Sequence, residues 1–136
     1  MNQNKITNLF GFTGAFLLII AVFCPVVNMP FEGSISFINR WLFSGIILIF
    51  LSFLSGVLSF FGKSRYLWLP SFVLGIISLY HLYDLNQKMN QYSFGNSFFR
   101  ANVKSFMSFE WGWFLLFGSI IMLLLSSILS HNVNKR

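Results

Sequence analysis

Four stretches of this chain carry no Asp, Glu, Lys or Arg: Ile6 to Phe31, Trp41 to Gly62, Tyr66 to Tyr83 and Trp111 to Ser130. They are 26, 22, 18 and 20 residues long. A helix needs roughly 20 apolar residues to cross a bilayer core of about 30 Å. Charge is scarce as well as segregated. Only 9% of the residues are charged, 56% are hydrophobic and the mean hydropathy is +0.72, whereas a soluble domain carries about 25% charged residues. The 136 residues read as one domain, an all-α membrane protein built as a four-transmembrane-helix bundle. The spans fall at about 7–27, 41–62, 66–84 and 111–130.

Helix is the only spanning structure these windows allow. Backbone groups in hydrocarbon must be satisfied within a segment or around a closed barrel. A barrel strand alternates apolar outward and polar inward positions, but "FLLIIAVF" (16–23) and "IIMLLLSSIL" (120–129) are apolar almost throughout. A barrel is excluded.

The net charge of +6 bears on topology before it bears on nucleic acid. With alternating spans, Lys5, Lys63, Arg65, Lys135 and Arg136 share one side. Arg40, Lys88, Arg100 and Lys104 share the other, with all three acids, Glu32, Asp84 and Glu110. The basic count is five against four, and the five sit in very short segments near span ends, where the positive-inside rule acts. Both termini are therefore expected in the cytoplasm, across a bacterial inner membrane. The tail "HNVNKR" is a flank to the last span and no nucleic-acid partner is expected.

The first window ends in "FCPVVNMPFEGSISF" (23–37), which punctuates the chain strongly. A cleaved signal peptide is not expected, because the n-region holds a single Lys and no small-x-small site follows. Nor is Cys24 placed for lipidation, with Phe23 before it and Pro25 after it. As the one cysteine it has no intramolecular disulfide partner, and it reads as a small buried apolar residue. Pro25 removes a backbone donor and kinks or ends the helix. Asn28, Pro30 and Gly33 favour turns, and the alternation of Ser34 and Ser36 with Ile35 and Phe37 suits a short extended segment. Trp41 then marks the start of the second span at the headgroup level.

Small residues recur within the spans. Gly45, Ser52 and Ser59 follow at seven-residue intervals in the second, with Ser55 and Gly56 beside them. Such a stripe admits close helix approach, either within the bundle or at a subunit interface. The third span repeats the device with Ser71, Gly75 and Ser78, and carries Pro70 early enough to be tolerated. The "GKSR" turn (62–65) is so short that spans two and three are expected to be antiparallel neighbours. Between Leu85 and Glu110 lies an aromatic segment in which Phe99, Val103, Phe106 and Met107 share one helical face. With Arg100 and Lys104 on another face, that helix suits the membrane interface or the mouth of the bundle. Trp111 and Trp113 are expected to anchor the start of the fourth span.

Two stretches, "FCPVVNMPFEGSISFIN" (23–39) and "FFRANVKSFMSFEWGWFLLFGSIIMLL" (98–124), carry a family likeness. They resemble small four-span bacterial integral membrane proteins with a Pro-x-x-x-x-Pro-x-x-Gly-Ser outer turn and a Trp-Gly-Trp sequence before the last span. Pro25, Pro30, Gly33, Ser34, Trp111, Gly112 and Trp113 carry the resemblance, about a third of the chain strongly and the rest in layout. The chain departs at "INRWLF" (38–43), where relatives continue with a Gly-Asp-Gly-like stretch. The resemblance implies fold and topology and no mechanism. A claudin-like reading fails for want of paired outer-loop cysteines.

Chemistry-bearing residues are few: three acids, two histidines and one cysteine. His81 and Asp84, three apart on a helix, share a face with Tyr80, and ionisable groups at a span's edge can mark proton or ion pathways. The other reading of the pair is an interfacial cap. Two potential ligands fall short of the usual three or four for a metal. No phosphate loop, nucleophile elbow or His-Glu-x-x-His sequence occurs. No catalytic, cofactor-binding or metal residue is assigned, and an enzyme is not expected. Two functions remain: a structural or regulatory subunit, homo-oligomeric or bound to another membrane protein, and an oligomeric pore lined by Ser52, Ser55 and Ser59. A defence or immunity role is compatible with either.

Overall fold

The computed structural model describes residues 3–29, 33–92 and 108–133. The chain runs α1 (Gln3–Phe23), β1 (Pro25–Met29), β2 (Gly33–Ser36), a single-turn α2 (Phe37–Arg40) and α3 (Leu42–Phe60). A 3-10 turn (Ser64–Leu67) leads into α4 (Trp68–Tyr92), followed by β3 (Ser108–Phe109) and α5 (Gly112–Val133). Four helices are long and apolar enough to cross a membrane: Lys5–Phe23, Leu42–Phe60, Ser64–Lys88 and Gly112–His131. These match the four expected spans. Their limits differ most in two places.

The first helix stops at Phe23, four residues short of Val27, because Pro25 begins a strand. A proline is tolerated at the first position of a strand, where its missing N–H costs least. The third helix runs on past Asp84 to Tyr92. Charge ended the window but not the helix, since Lys88 pairs with Asp84 at 2.8 Å one turn along.

The fold is also not wholly helical. The expected outer turn is a hairpin, with β1 and β2 antiparallel in the register Val27↔Ile35, Asn28↔Ser34 and Met29↔Gly33. Gly33 supplies a φ of 72° at its start, a region that costs glycine no strain. Strand β3 adds to the free edge of β1, with Val27 opposite Phe109 and Asn28 opposite Ser108, giving the order β2-β1-β3. The extended segment expected over 34–37 ends one residue early, as Phe37 opens α2. The amphipathic helix expected around Phe99, Arg100, Val103, Lys104, Phe106 and Met107 lies outside the described residues, as do Pro30 and Glu32.

At the other end, α3 closes on a two-bond glycine cap. Gly62, at φ 71°, donates its N–H to Ser59 O, and Lys63 donates to Leu58 O. This is the Schellman arrangement, which satisfies carbonyls that a helix end leaves free. We call this the turn end of the bundle and the opposite one the hairpin end.

Helix α1 is the centre of the bundle, packed chiefly on α5 and α3, while α4 leans on α5 and only lightly on α3. Gly11 explains the position of α1. A Cβ there would overlap Ser59 Oγ and sit 2.8 Å from Leu67 Cδ1 and 2.9 Å from Ser126 Oγ. Gly14 also meets α5, less tightly, with Ser119 O, Met122 Cβ and Leu123 Cγ each 3.2 Å from a built Cβ. Leu18, Leu48, Leu74, Leu116 and Leu123 fill the core.

Burial is inverted relative to a soluble protein. Phe43, Phe60 and Phe114 are 78%, 78% and 82% exposed, while Ser52, Ser59, Ser78 and Ser126 are buried. In hydrocarbon this is the favourable sense, because a hydroxyl facing lipid has no partner. Each of these serines has one inside. Ser52 donates to Ala15 O at 2.5 Å, Ser59 to Asn8 O at 2.8 Å and Ser126 to Thr7 O at 2.6 Å. Ser78 donates to Leu74 O within its own helix. The small-residue stripe of the second span thus faces inward, with Ser52 and Ser59 bonded to α1 and Gly45 against Ile38 of α2. Gly56, expected to be a point of close approach, has only Ala15 Cβ near it, at 3.6 Å from a built Cβ.

Candidate functional site

Aromatic rings and one imidazole gather at the hairpin end. Strand β2 delivers the chain to α2, whose Phe37 is fully buried and acts as a hub. Its ring lies 5.0 Å from Trp41, 5.4 Å from His81 and 6.1 Å from Trp113, the last two edge to face at 87° and 79°. Such tilted contacts set positive ring edges on negative faces and add about 0.5–1.5 kcal/mol beyond burial. Trp41 and Tyr80 close on the imidazole at 4.5 and 5.3 Å. Trp113 stacks on Phe117 at 5.9 Å.

His81 is only 7% exposed. Its Nε2 shares a 2.8 Å hydrogen bond with Ser44 Oγ of α3. Two buried side-chain nitrogens among the described residues have no hydrogen-bond partner: His81 Nδ1 and Trp113 Nε1. The indole N–H is a donor only, whereas Nδ1 donates or accepts according to which nitrogen carries the proton. If Ser44 donates to Nε2, Nδ1 is a second unmet donor. If Nε2 donates, Nδ1 is an unmet acceptor. Either way the box holds unspent hydrogen-bonding capacity, which is costly in a dry setting.

The dyad suggested by spacing does not form. Asp84 bonds Lys88 on its own helix, and His81 turns across the bundle to Ser44. Tyr80 does reach the imidazole, in a T-shaped ring contact. Trp111 and Trp113 divide, with Trp111 53% exposed and Trp113 buried in the box. Cys24 is buried and free. Among the described residues no three His, Cys, Asp or Glu side chains gather.

Ser44 and Phe37 were not singled out by the sequence. Ser44 had a signal, since Ser59, Ser55 and Ser52 continue back at helical spacing through Leu48 to reach it. Phe37 had none, because its burial depends on the turn of chain from β2 into α2. Comparison with family models, curated proteins and solved structures returns no match to this chain.

Proposed function

We propose that the protein is a non-enzymatic multi-pass membrane protein acting as a structural or regulatory subunit of a membrane assembly. The observation that carries this reading is that the serine seam along α1 is satisfied from within the bundle. The buried hydroxyls of Ser52, Ser59 and Ser126 end on backbone carbonyls of α1, so none of the three is free to line a path for a solute. The same bonds weigh against a pore lined by Ser52, Ser55 and Ser59, because α1 would first have to leave the seam. Association is better served by α4 and α5, where a Cβ on Gly75 or Gly118 meets nothing within 4 Å. Glycines on open helix faces allow another helix to approach closely, from a second copy or another membrane protein. The charge asymmetry favours a bacterial inner membrane with both termini cytoplasmic, and the family likeness of the hairpin and the Trp-Gly-Trp sequence agrees with that setting.

Reconstitution in liposomes with an ion-flux assay, alongside native mass spectrometry in mild detergent, tests the proposal. The expected result is no appreciable flux, and an oligomer or complex lost in Gly75→Leu or Gly118→Leu. A large leak abolished by Ser55→Leu would establish the pore instead. A monomer unaffected by either glycine change would remove the association.

A further inference from the structure

Between α1 and α3 the lipid-facing surface opens into a groove of about 310 Å³. Phe12, Phe16 and Ile19 form one wall, and Phe53, Gly56 and Phe60 the other. The hydroxyl in its floor, Ser52 Oγ, is already spent on Ala15 O, so the groove presents carbon throughout. Gly56 keeps it open, since any longer side chain there would occupy it.

The length of the groove is that of one leaflet. Ser52 to Phe61 rises roughly 14 Å along α3, about half of a 30 Å hydrocarbon core. The Ser52–Ala15 bond lies halfway along α3, and the groove runs from that level to the turn end, where Phe60 and Phe61 flank it. Two lysines follow beyond its turn end, outside the lining itself. Lys5 lies seven residues before Phe12, on the same helical stripe as Phe12, Phe16 and Ile19, and Lys63 follows Phe61 by two residues. Both lysines are exposed. Among the described residues the acids, Asp84 and Glu110, are at the hairpin end.

We propose that this groove is a lipid site, holding one acyl chain of an anionic phospholipid with its phosphate between Lys5 and Lys63. The apolar walls take the chain, and the paired cations select the headgroup. A second copy of the protein fits less well, because a two-fold pair sets the same face against itself and brings the lysines of the two copies together. The site is independent of the association faces on α4 and α5, and of the compartment that the turn end faces.

Native mass spectrometry of the full chain in mild detergent, incubated with phosphatidylglycerol or phosphatidylcholine of matched acyl length, decides the matter. One phosphatidylglycerol should be retained in preference to phosphatidylcholine by about thirtyfold, the weight of two basic residues beside an anionic headgroup. Lys5→Gln with Lys63→Gln should abolish the preference and leave weak retention of both lipids. Gly56→Leu should lower retention of both, while Ile76→Phe, on an exposed part of α4, changes neither. If Gly56→Leu does not fold, judged by helical circular dichroism and a monodisperse elution peak, Val57→Phe on the same wall replaces it. Equal retention of the two lipids, or a preference that survives loss of both lysines, overturns the proposal. A dimer lost on filling the groove would assign it to a second copy.

Discussion

Gly112 and Pro25 meet backbone to backbone: a Cβ on Gly112 would overlap the carbonyl oxygen of Pro25 and lie 3.0 Å from its carbonyl carbon. The first residue of α5 is thereby seated on the first residue of β1. The neighbouring bond from Glu110 N–H to Val26 O, at 3.1 Å, fixes the same junction. It also places Trp113 beneath the sheet with its indole against Phe37. Residues 23–29 and 33–39 thus meet residues 108–124 at this junction, with glycine required between the tryptophans by the proline carbonyl.

Gly112→Ala is expected to destabilise the fold by about 1–3 kcal/mol, the usual cost of overpacking, since a backbone carbonyl cannot swing aside. Gly118→Ala, facing open space, should shift stability by no more than about 0.5 kcal/mol. Denaturant titrations in detergent, followed by circular dichroism, compare the two. Equal midpoints would mean that the junction is looser than described.

How much of this was legible in the sequence depended on the range of the interaction. The four long apolar helices were, because a sustained apolar window constrains every one of its residues locally. The end of α1 was legible too, since Pro25 acts on its own turn. Register in the cap was not: Val27 pairs with Phe109 across most of the chain, and two residues of strand leave no pattern to read. The helix-packing order was only half legible. Short connection made α3 and α4 neighbours in sequence, yet Gly11 and Gly14 drew α1 between α3 and α5. For the site, spacing placed His81 and Asp84 on one face of α4 but could not say that Ser44 offers His81 a partner while Lys88 takes Asp84.

The serine clamps should be measurably unequal. Ser59→Ala and Ser126→Ala each break a bond between helices, worth about 0.6 kcal/mol on average and up to about 1.7 kcal/mol in membrane proteins. Ser55 bonds Leu51 O of its own helix at 2.8 Å, so Ser55→Ala should cost less than either. Gly11→Ala should cost more than any of them, as its methyl group would displace the Ser59 and Ser126 hydroxyls together. Unfolding of the four variants in one detergent ranks them, and a Ser55→Ala loss equal to that of Ser59→Ala would contradict the assignment.

Ser44→Ala leaves the buried imidazole with both nitrogens unpaired. A cost of about 1–3 kcal/mol is expected for the group stranded in this way. Adding His81→Phe should recover part of it, because exchanging both partners for apolar groups removes the unmet polarity. The double variant is therefore expected to be more stable than Ser44→Ala alone. If the second change only adds to the loss, the His81–Ser44 bond is not what holds this end of α4 to α3.

Orientation rests on five basic residues against four, and so narrow a margin can be tested by tipping it. In a Cys24→Ala background, Tyr66→Cys at the turn end and Ser34→Cys in the hairpin are both exposed and leave the charge untouched. A membrane-impermeant maleimide should reach Ser34→Cys from outside intact cells, and Tyr66→Cys only after the cells are opened. Replacing Lys63 and Arg65 with Gln lowers the turn-end count from five to three, below the four of the hairpin end. Since basic residues beside the spans set orientation, that variant should divide between two orientations, with Tyr66→Cys partly labelled from outside. Labelling of Tyr66→Cys from outside in the unaltered charge background would invert the topology.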